Sequence, residues 1–349
     1  MYRRRGLDPL LWSSRAISSR HVAAVYNQAG DDYVAYADGD PERLFCFEGL
    51  HAYADRQLWS ILEKKLDDLR AAGASSVTIL DAGCGPGTWL RRVITHAHRL
   101  GFSQITARGF DVALTQVRVA RRLASDLARL PGVNLTFEVA DLRDRLPEPE
   151  ASVDIALCLY SVLGHLPVSD LPKVASEFGR VTKGYFITTV RSIGSTPTVF
   201  VDSIERARHF KLDHRLDRCE VEFLNGCRVA VRFHLFNAHE LNDLFRPHFS
   251  IEDLRGLDIF HNRFVPDRRW NPVSVVADQR LMLQLTRLEE AYATDPGFME
   301  RATHLVLVGR REPSSEMNSV SAIRARGNGC RGSLPPAPLR DRARGPGSR

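Results

Sequence analysis

The sequence predicts an α/β protein whose sheet is mostly parallel and has helices on both faces. Three observations support this fold class. Apolar runs of strand length alternate with helical patterns from about residue 77 to residue 190. A turn with three glycines follows the first run, and an aspartate follows each of the next two runs. Because parallel strands end at the same edge of a sheet, we expect these features to meet there.

The alternating part of the chain contains five predicted strands and four predicted helices. Leu58, Leu62 and Leu66 recur at helical spacing and predict a long first helix over His51–Ala72. The strands are predicted at Val77–Leu80, Ile105–Phe110, Val133–Val139, Val153–Leu159 and Tyr185–Val190. The later helices are predicted at Thr88–Leu100, Ala113–Leu130 and Ser169–Val181. Such alternation indicates parallel strands joined by right-handed helical crossovers.

The pattern changes after the fifth strand, where a small β-hairpin cap is predicted over about residues 192–236. Two β-like runs, Arg218–Phe223 and Cys227–Phe236, are joined by Asn225-Gly226, a dipeptide that favours a two-residue hairpin turn. Beyond the cap, helical patterns are predicted at Ala238–Phe245 and Val275–Tyr292, and strands at Ser250–Leu254 and Thr303–Val308.

The two ends of the chain differ in composition from its body. Of the net charge of +6 over 349 residues, residues 1–20 and residues 312–349 contribute +4 each, which leaves −2 on the remainder. We predict a flexible N-terminal arm at residues 1–20, a folded domain at residues 21–311 and a disordered tail rich in Arg, Gly and Pro at residues 312–349. Because the body is nearly neutral, its charge does not favour a nucleic-acid partner.

Cysteine usage and hydropathy point to a cytoplasmic protein. The six cysteines form no Cys-x-x-Cys pair, and no metal site is predicted from them. Cys84 and Cys158 fall in core positions and suit small apolar side chains in a reducing compartment. No apolar run approaches the length needed to cross a membrane. The oligomeric state is left open.

The turn after the first strand reads Leu-Asp-Ala-Gly-Cys-Gly-Pro-Gly-Thr over residues 80–88. Glycines let the backbone turn tightly and let a ligand approach bare main chain. Their spacing differs from the Gly-x-Gly-x-x-Gly of dinucleotide-binding turns, and no phosphate-binding lysine follows them. Asp81, directly before the glycines, would repel a phosphate but suits a cationic or amino-bearing ligand.

This nine-residue string resembles the first motif of class I S-adenosylmethionine-dependent methyltransferases. The resemblance implies a Rossmann-like sheet of seven strands, of which the last two are antiparallel, and S-adenosyl-L-methionine as the cofactor. It also implies that Asp81 and the turn residues Gly83, Cys84, Gly85 and Gly87 hold the methionyl part of that cofactor.

Acidic residues after the next two strands extend the resemblance. A carboxylate at the position of Asp111 can accept hydrogen bonds from both ribose hydroxyls. In the methyltransferase family the pair that matches Asp141 and Leu142 lies at the adenine, although Asp141 could instead cap a helix. Leu159 ends the fourth strand, at the position that faces the methyl group in the family, and is expected to contact the cofactor.

Three short segments are similar to glycine N-methyltransferase and related small-molecule enzymes. Cys158-Leu159 followed by His165-Leu166-Pro167 makes His165 a candidate base or cofactor contact, with a structural histidine as the alternative. Tyr36-Ala37-Asp38-Gly39 followed by Arg43 matches an N-terminal arm whose tyrosine packs on the cofactor and whose arginine pairs with its carboxylate. Packing of the arm on the body is the alternative.

The third segment contains Arg191, directly after the fifth strand. Related enzymes use an arginine here to hold the substrate carboxylate, and an exposed strand-end arginine is the alternative. Here Ser192-Ile193-Gly194 replaces their Asn-Tyr-Asp, which separates this chain from enzymes specific for glycine. The resemblance implies transfer of a methyl group by direct displacement to a nitrogen or oxygen of a small-molecule acceptor, with His165, Arg191 and Tyr36 on the acceptor side.

Other functions are compatible with the same fold. An RNA or protein methyltransferase could use the arginine-rich ends as a tether, and a nicotinamide-dependent oxidoreductase would need a different glycine spacing. A binding protein that kept the cofactor pocket is a further alternative.

Overall fold

A computed structural model describes residues 20–27, 43–48, 51–195, 207–223, 226, 228–261 and 279–312. The predictions for Tyr36, for residues 1–19 of the arm and for residues 313–349 of the tail lie outside this part of the chain. Residues 20–27 are helical, and the helices that follow are α1 (Ala52–Ala71), α2 (Thr88–Arg99), α3 (Leu114–Leu123), α4 (Leu171–Val181), α5 (Ala238–Phe245), α6 (Gln279–Tyr292) and α7 (Pro296–Met299). The strands are β1 (Ser76–Ala82), β2 (Gln104–Asp111), β3 (Val133–Val139), β4 (Val153–Cys158), β5 (Thr182–Arg191), β6 (Ala207–Asp213), β7 (Arg218–Phe223), β8 (Arg228–Arg232), β9 (Ser250–Leu257) and β10 (His304–Arg310).

Seven strands form one sheet in the order β3-β2-β1-β4-β5-β10-β9. The pairs from β3 to β5 are parallel, whereas β10 runs antiparallel to both β5 and β9. This confirms the predicted Rossmann-like sheet and its antiparallel last pair. Because β10 is reversed, its first residue lies at the edge where the parallel strands end. His304 is therefore opposite Arg191 of β5 and Leu257 of β9.

Helices cover both faces of the sheet, as predicted. In α1, Leu58, Leu62 and Leu66 are four residues apart, fall on one side of the helix and are fully buried. They pack in the same core cluster as α2, on one face of the sheet. Phe178 of α4 and Phe245 of α5 pack on Phe186 in a second cluster on the other face. No helix among the described residues is long and apolar enough to cross a membrane.

One predicted helix is shorter than its sequence pattern suggested. The helix predicted over Ala113–Leu130 ends at Leu123, and a separate 3₁₀ turn follows at Leu127–Arg129. Ser125 and Asp126 lie between the two, and such side chains compete with the helix for backbone hydrogen bonds. The apolar period continues across this break, so periodicity alone predicted a single helix.

The cap after β5 is a three-stranded antiparallel sheet in the order β6-β7-β8. The predicted hairpin is present as β7 and β8, but the second strand ends at Arg232 rather than at Phe236. Its turn contains Gly226 in the left-handed region, with φ of 80°. The strand β6 was not predicted, because its Ala-Arg-His-Phe-Lys-Leu-Asp sequence lacks a clear apolar alternation.

His234 joins the cap to the body of the protein. Its Nδ1 lies 2.8 Å from the Asp217 carboxylate at the start of β7, and its Nε2 lies 2.8 Å from the Glu240 carboxylate on α5. Burial opposes the charged imidazolium, but the hydrogen bonds to Glu240 and Asp217 outweigh it and raise the pKa of His234 above its usual 6.5. His234 therefore links Asp217 of the cap to Glu240 of α5 through its two ring nitrogens.

We expect His234→Gln to destabilise the protein by about 2 kcal/mol at low pH, with a smaller effect at high pH. The folded state holds the proton more tightly than the unfolded state, so the stabilisation is fully present below a pH of 6.5 and is lost as the pH rises through the higher folded pKa. Urea unfolding of both proteins at about pH 6 and about pH 8.5 measures the difference.

His239→Gln is the matched control, because that histidine is exposed on α5. A His234→Gln penalty that stays constant or grows with pH would contradict the assignment of a raised pKa.

Candidate active site

The glycine turn joins β1 to α2 at the carboxyl edge of the sheet. The backbone N–H groups of Gly83 and Cys84 donate to the Phe110 carbonyl at the end of β2, at 2.8 and 2.9 Å. Gly83 has a φ of 71°, and a Cβ there would overlap the Val162 side chain from the loop after β4. The turn is thus packed between the ends of β2 and β4, and only glycine fits at its first position.

Asp81 and Cys84 lie before and within this turn. Both side chains are buried. Burial raises the pKa of the Cys84 thiol well above its usual value, and the nearby carboxylates of Asp81 and Asp111 raise it further. Cys84 is therefore a neutral, small core group, as the sequence suggested.

Asp111, at the end of β2, fixes the conformation of the turn. Its Oδ2 accepts a hydrogen bond from the Gly85 N–H at 3.0 Å, and its Oδ1 accepts one from the Ala113 N–H at 2.8 Å. Burial raises the pKa of Asp111, while the N–H groups of Ala113 and Gly85 favour its charged form. The residue as a whole is only partly buried.

Asp141 and Leu142 follow β3 on the same side of the cleft. The Asp141 carboxylate is paired with the guanidinium of Arg143, with 2.7 Å between Nη2 and Oδ2, and it accepts the Arg143 N–H at 3.0 Å. Leu142 is buried and belongs to the core beneath the sheet edge. A ligand group at Asp141 would therefore share the carboxylate with Arg143.

Arg43 lies in a short segment that packs on α2. Its guanidinium is exposed and is 3.5 Å from the Glu48 carboxylate. The segment is held by the buried Arg92, which donates to the Leu44 carbonyl at 2.5 Å and stacks over the rings of Trp89 and Phe47. The segment therefore runs beside the helix that follows the glycine turn.

His165 connects three parts of the chain. Its Nδ1 is 2.8 Å from the carbonyl of Arg232 at the end of β8, and its Nε2 is 2.8 Å from the hydroxyl of Tyr26. Because a carbonyl only accepts, Nδ1 carries the proton and Nε2 accepts from Tyr26. Burial lowers the pKa of His165 to about 4, so the ring is neutral near pH 7.

The helix at residues 20–27 crosses the carboxyl edge of the sheet. At one end of this crossing, Asn27 accepts the Thr115 N–H at the start of α3, at 2.8 Å, and the Tyr26 carbonyl accepts from Gln116. At the other end, Tyr26 reaches His165 after β4. The last two residues of this helix therefore contact both the start of α3, after β2, and the segment after β4.

Tyr160 and Ser161 follow β4 in a conformation that is rare for residues other than glycine. Their φ values are 53° and 69°. Thr189 of β5 holds them, since its hydroxyl accepts the Tyr160 N–H at 2.6 Å and its carbonyl accepts the Ser161 N–H at 2.9 Å. This geometry directs the Tyr160 hydroxyl to Asp55 of α1, to which it donates a hydrogen bond.

A buried polar cluster lies beside Tyr160 at the ends of β5, β9 and β10. It contains Arg191, Asp258, His304 and His51. The imidazole rings of His51 and His304 are 5.2 Å apart, and His51 Nδ1 is 3.8 Å from Asp258 Oδ2. Burial raises the pKa of Asp258 to about 7 against the opposing charge of Arg191, and burial lowers the pKa of His304 well below 6.5.

Comparison with known proteins identifies the domain. Residues 79–184, from β1 into β5, match the family described as "Methyltransferase domain". This stretch of the chain is therefore similar to methyltransferase domains. The match includes the glycine turn, Asp111 and Asp141, so the domain assignment covers the part of the site that the sequence motifs predicted.

Individual relatives of the methyltransferase domain are distant. A probable methyltransferase of Aspergillus luteorubrus, ltbC, is 32% identical over 109 residues, which are 30% of this chain and 36% of that protein. The match thus spans about a third of the length of that curated relative. Magnesium protoporphyrin IX methyltransferase from Synechocystis PCC 6803 is 15% identical with a TM-score of 0.48, over 83% of this chain and 98% of that chain. A geranyl diphosphate methyltransferase in complex with SAM is 17% identical with a TM-score of 0.42, over 80% of this chain and 95% of that chain.

Several polar residues of the candidate site were missed by sequence reasoning. Tyr160, Asp55, His51, Asp258 and His304 come from four separate parts of the chain and carry no local motif. The one signal available was that His304 is the second residue of the last predicted strand, Thr303–Val308. The structure brings these residues together beside Arg191, but His165 and Arg43 lie in other contacts of the domain.

Proposed function

We propose that this protein transfers the methyl group of S-adenosyl-L-methionine to a nitrogen or oxygen of a small-molecule acceptor. The observation that supports this most directly is the adjacency of two sites at one sheet edge. The turn of bare main chain at Gly83–Gly87 and the Asp111 carboxylate lie at the ends of β1 and β2. The buried polar cluster around Arg191 lies at the ends of β5, β9 and β10.

The residues around the turn fit this cofactor. The turn offers main-chain groups at its three glycines, Asp111 offers a carboxylate at the end of β2, and Leu142 offers an apolar side chain. In our proposal the methionyl part of the cofactor is held by Asp81, Gly83, Cys84, Gly85 and Gly87. Asp111 binds the ribose, and Asp141 and Leu142 contact the adenine. The remaining cofactor contacts come from Leu159, Arg43 and Tyr36. The bound cofactor supplies an activated methyl group on a sulfonium.

The chain then has to orient the acceptor and exclude water, because the methyl group is already activated. Arg191 would hold an anionic group of the acceptor. His165 and Tyr36 are proposed on the acceptor side, as in the glycine N-methyltransferase-like enzymes that the motifs resemble. For His165 to act as a base, its Nε2 must first be released by Tyr26.

The test is a transfer experiment with S-adenosylmethionine that carries a labelled methyl group. We expect the purified protein to label at least one small molecule in a metabolite extract, because the polar cluster is buried rather than an extended charged surface. Mass spectrometry of the labelled product identifies the acceptor and the methylated atom.

A variant that lacks residues 1–19 and 313–349 separates small-molecule from macromolecular acceptors. Our proposal predicts that it keeps most of the labelling activity, since the described site contains none of those residues. Label found only in RNA or protein, and lost with the arginine-rich ends, would favour the alternative function.

A further inference from the structure

We propose that His51, Asp258 and His304 bind one divalent transition-metal ion, such as Zn²⁺, Mn²⁺ or Fe²⁺, at the acceptor side of the site. The evidence for metal binding is the arrangement of these three side chains. The assignment to the acceptor rests on the proposed methyl-transfer function.

The three side chains offer a suitable set of ligands. One ligand atom from each lies within 4.8 Å of the other two, and all three residues are buried. Metal ligands with bonds of about 2.0 Å lie about 3.3 Å apart at tetrahedral angles, so shifts of about 1 Å would close the set around one ion. Two imidazoles and one carboxylate favour a transition metal over Mg²⁺ or Ca²⁺, which prefer oxygen ligands.

His304 gives a second and independent indication of a ligand. Only 2% of its surface is exposed, and its Nδ1 has no hydrogen-bond partner among the residues that the structure describes. A buried imidazole nitrogen without a partner is costly, and a metal bond would satisfy it. The rings of His51 and Tyr160 pack against His304 at 5.2 and 5.3 Å and hold its orientation.

Three separate elements position the ligands. His51 precedes α1, Asp258 follows β9 and His304 opens β10, next to Arg191 in the sheet register. Asp258 has a φ of 57°, a strained conformation for a residue with a side chain. Rare backbone conformations that persist without glycine are concentrated at functional sites, which agrees with a ligand at this position.

The charges around the cluster define the class of acceptor. The carboxylates of Asp55 and Asp258 already interact with the positive charges of Arg92 and Arg191. A divalent ion would therefore bring surplus positive charge into a buried site, and an ionised oxygen of the acceptor would offset it. We infer an acceptor with a phenol, enol or carboxylic acid group, whose oxygen coordinates the ion in one of the positions left open by three protein ligands.

Metal binding can be measured without cofactor or acceptor. The full-length protein, stripped with EDTA, is titrated with Zn²⁺, Co²⁺ and Mg²⁺ by calorimetry, and the Co²⁺ complex is examined by visible spectroscopy. We expect about one Zn²⁺ or Co²⁺ per chain, weaker Mg²⁺ binding, and visible bands of Co²⁺ with nitrogen ligands. His304→Ala and His51→Ala should each weaken Zn²⁺ binding more than about 100-fold.

His98→Ala is the matched control, since His98 is exposed on α2 and far from the three ligands in the chain. S-adenosylhomocysteine binding reports whether each variant is folded. Fewer than about 0.1 Zn²⁺ per chain in the wild type, or equal Zn²⁺ affinity of wild type and both histidine variants, would overturn the metal site. Neither result would bear on methyl transfer, so the two proposals fail separately.

Discussion

Replacing Asp111 with alanine is expected to weaken the binding of S-adenosylhomocysteine by roughly 100-fold or more. The carboxylate would accept hydrogen bonds from the ribose hydroxyls, and a hydrogen bond to a charged group is worth about 1.5–3 kcal/mol. The same carboxylate holds the N–H groups of Gly85 and Ala113 in the structure. Its removal therefore loosens the glycine turn as well as removing a ligand contact.

Isothermal titration calorimetry with S-adenosylhomocysteine measures the loss. Asp111→Asn is a milder change, because an amide keeps one acceptor oxygen for one of the two turn N–H groups but loses the charge. Asp126→Ala is the control, since this acid is exposed after α3. If Asp111→Ala binds the ligand as tightly as wild type, Asp111 does not contact the ribose. Tight binding of NAD in the same titrations would contradict the cofactor assignment itself.

The placement of the proposed cofactor residues at one sheet edge could be predicted from sequence, because these residues follow strand ends in chain order. Asp81, Asp111 and Asp141 each come directly after an apolar run, and parallel strands bring such positions to one edge. The partners of these acids were not predictable in the same way. The pairing of Asp141 with Arg143, for example, depends on the loop conformation after β3.

The acceptor half could not be predicted, because its residues meet only through the sheet register. His304 adjoins Arg191 since β10 inserts in reverse between β5 and β9. His51 and Asp55 reach the same place through the packing of α1 on that face of the sheet. Interactions over such sequence separations leave no local period or spacing for sequence reasoning to detect. The strand β6 was missed for a related reason. It forms by pairing with β7, and its own sequence has no clear apolar alternation.

A buried carboxylate of α6 holds the loop that carries Asp258. Glu289 has no exposed surface, and it accepts the backbone N–H groups of Ile259, Phe260 and His261 at 3.0, 2.7 and 3.0 Å. Three successive N–H groups around one carboxylate form an anion-binding nest. The first of these three residues directly follows Asp258 in the chain. Glu289 therefore fixes the backbone next to the Asp258 side chain.

We expect Glu289→Ala to destabilise the protein by about 3 kcal/mol, because three buried N–H groups lose their acceptor at about 1 kcal/mol each. Urea unfolding measures this loss, and Glu290→Ala is the matched control, as its side chain is exposed on the same helix. Equal stability of the two variants would show that the nest contributes nothing to folding.

The milder change Glu289→Gln tests how the nest supports the acceptor side. Glutamine keeps one acceptor oxygen, so the variant should fold while the loop is held less firmly. We then expect Zn²⁺ binding through Asp258 to weaken by about 10- to 100-fold, in the range found when a group that orients a metal ligand is changed. S-adenosylhomocysteine binding should stay unchanged, because the glycine turn and Asp111 lie at the ends of other strands. A loss of S-adenosylhomocysteine binding without loss of Zn²⁺ binding would show that Glu289 positions the cofactor half of the site instead.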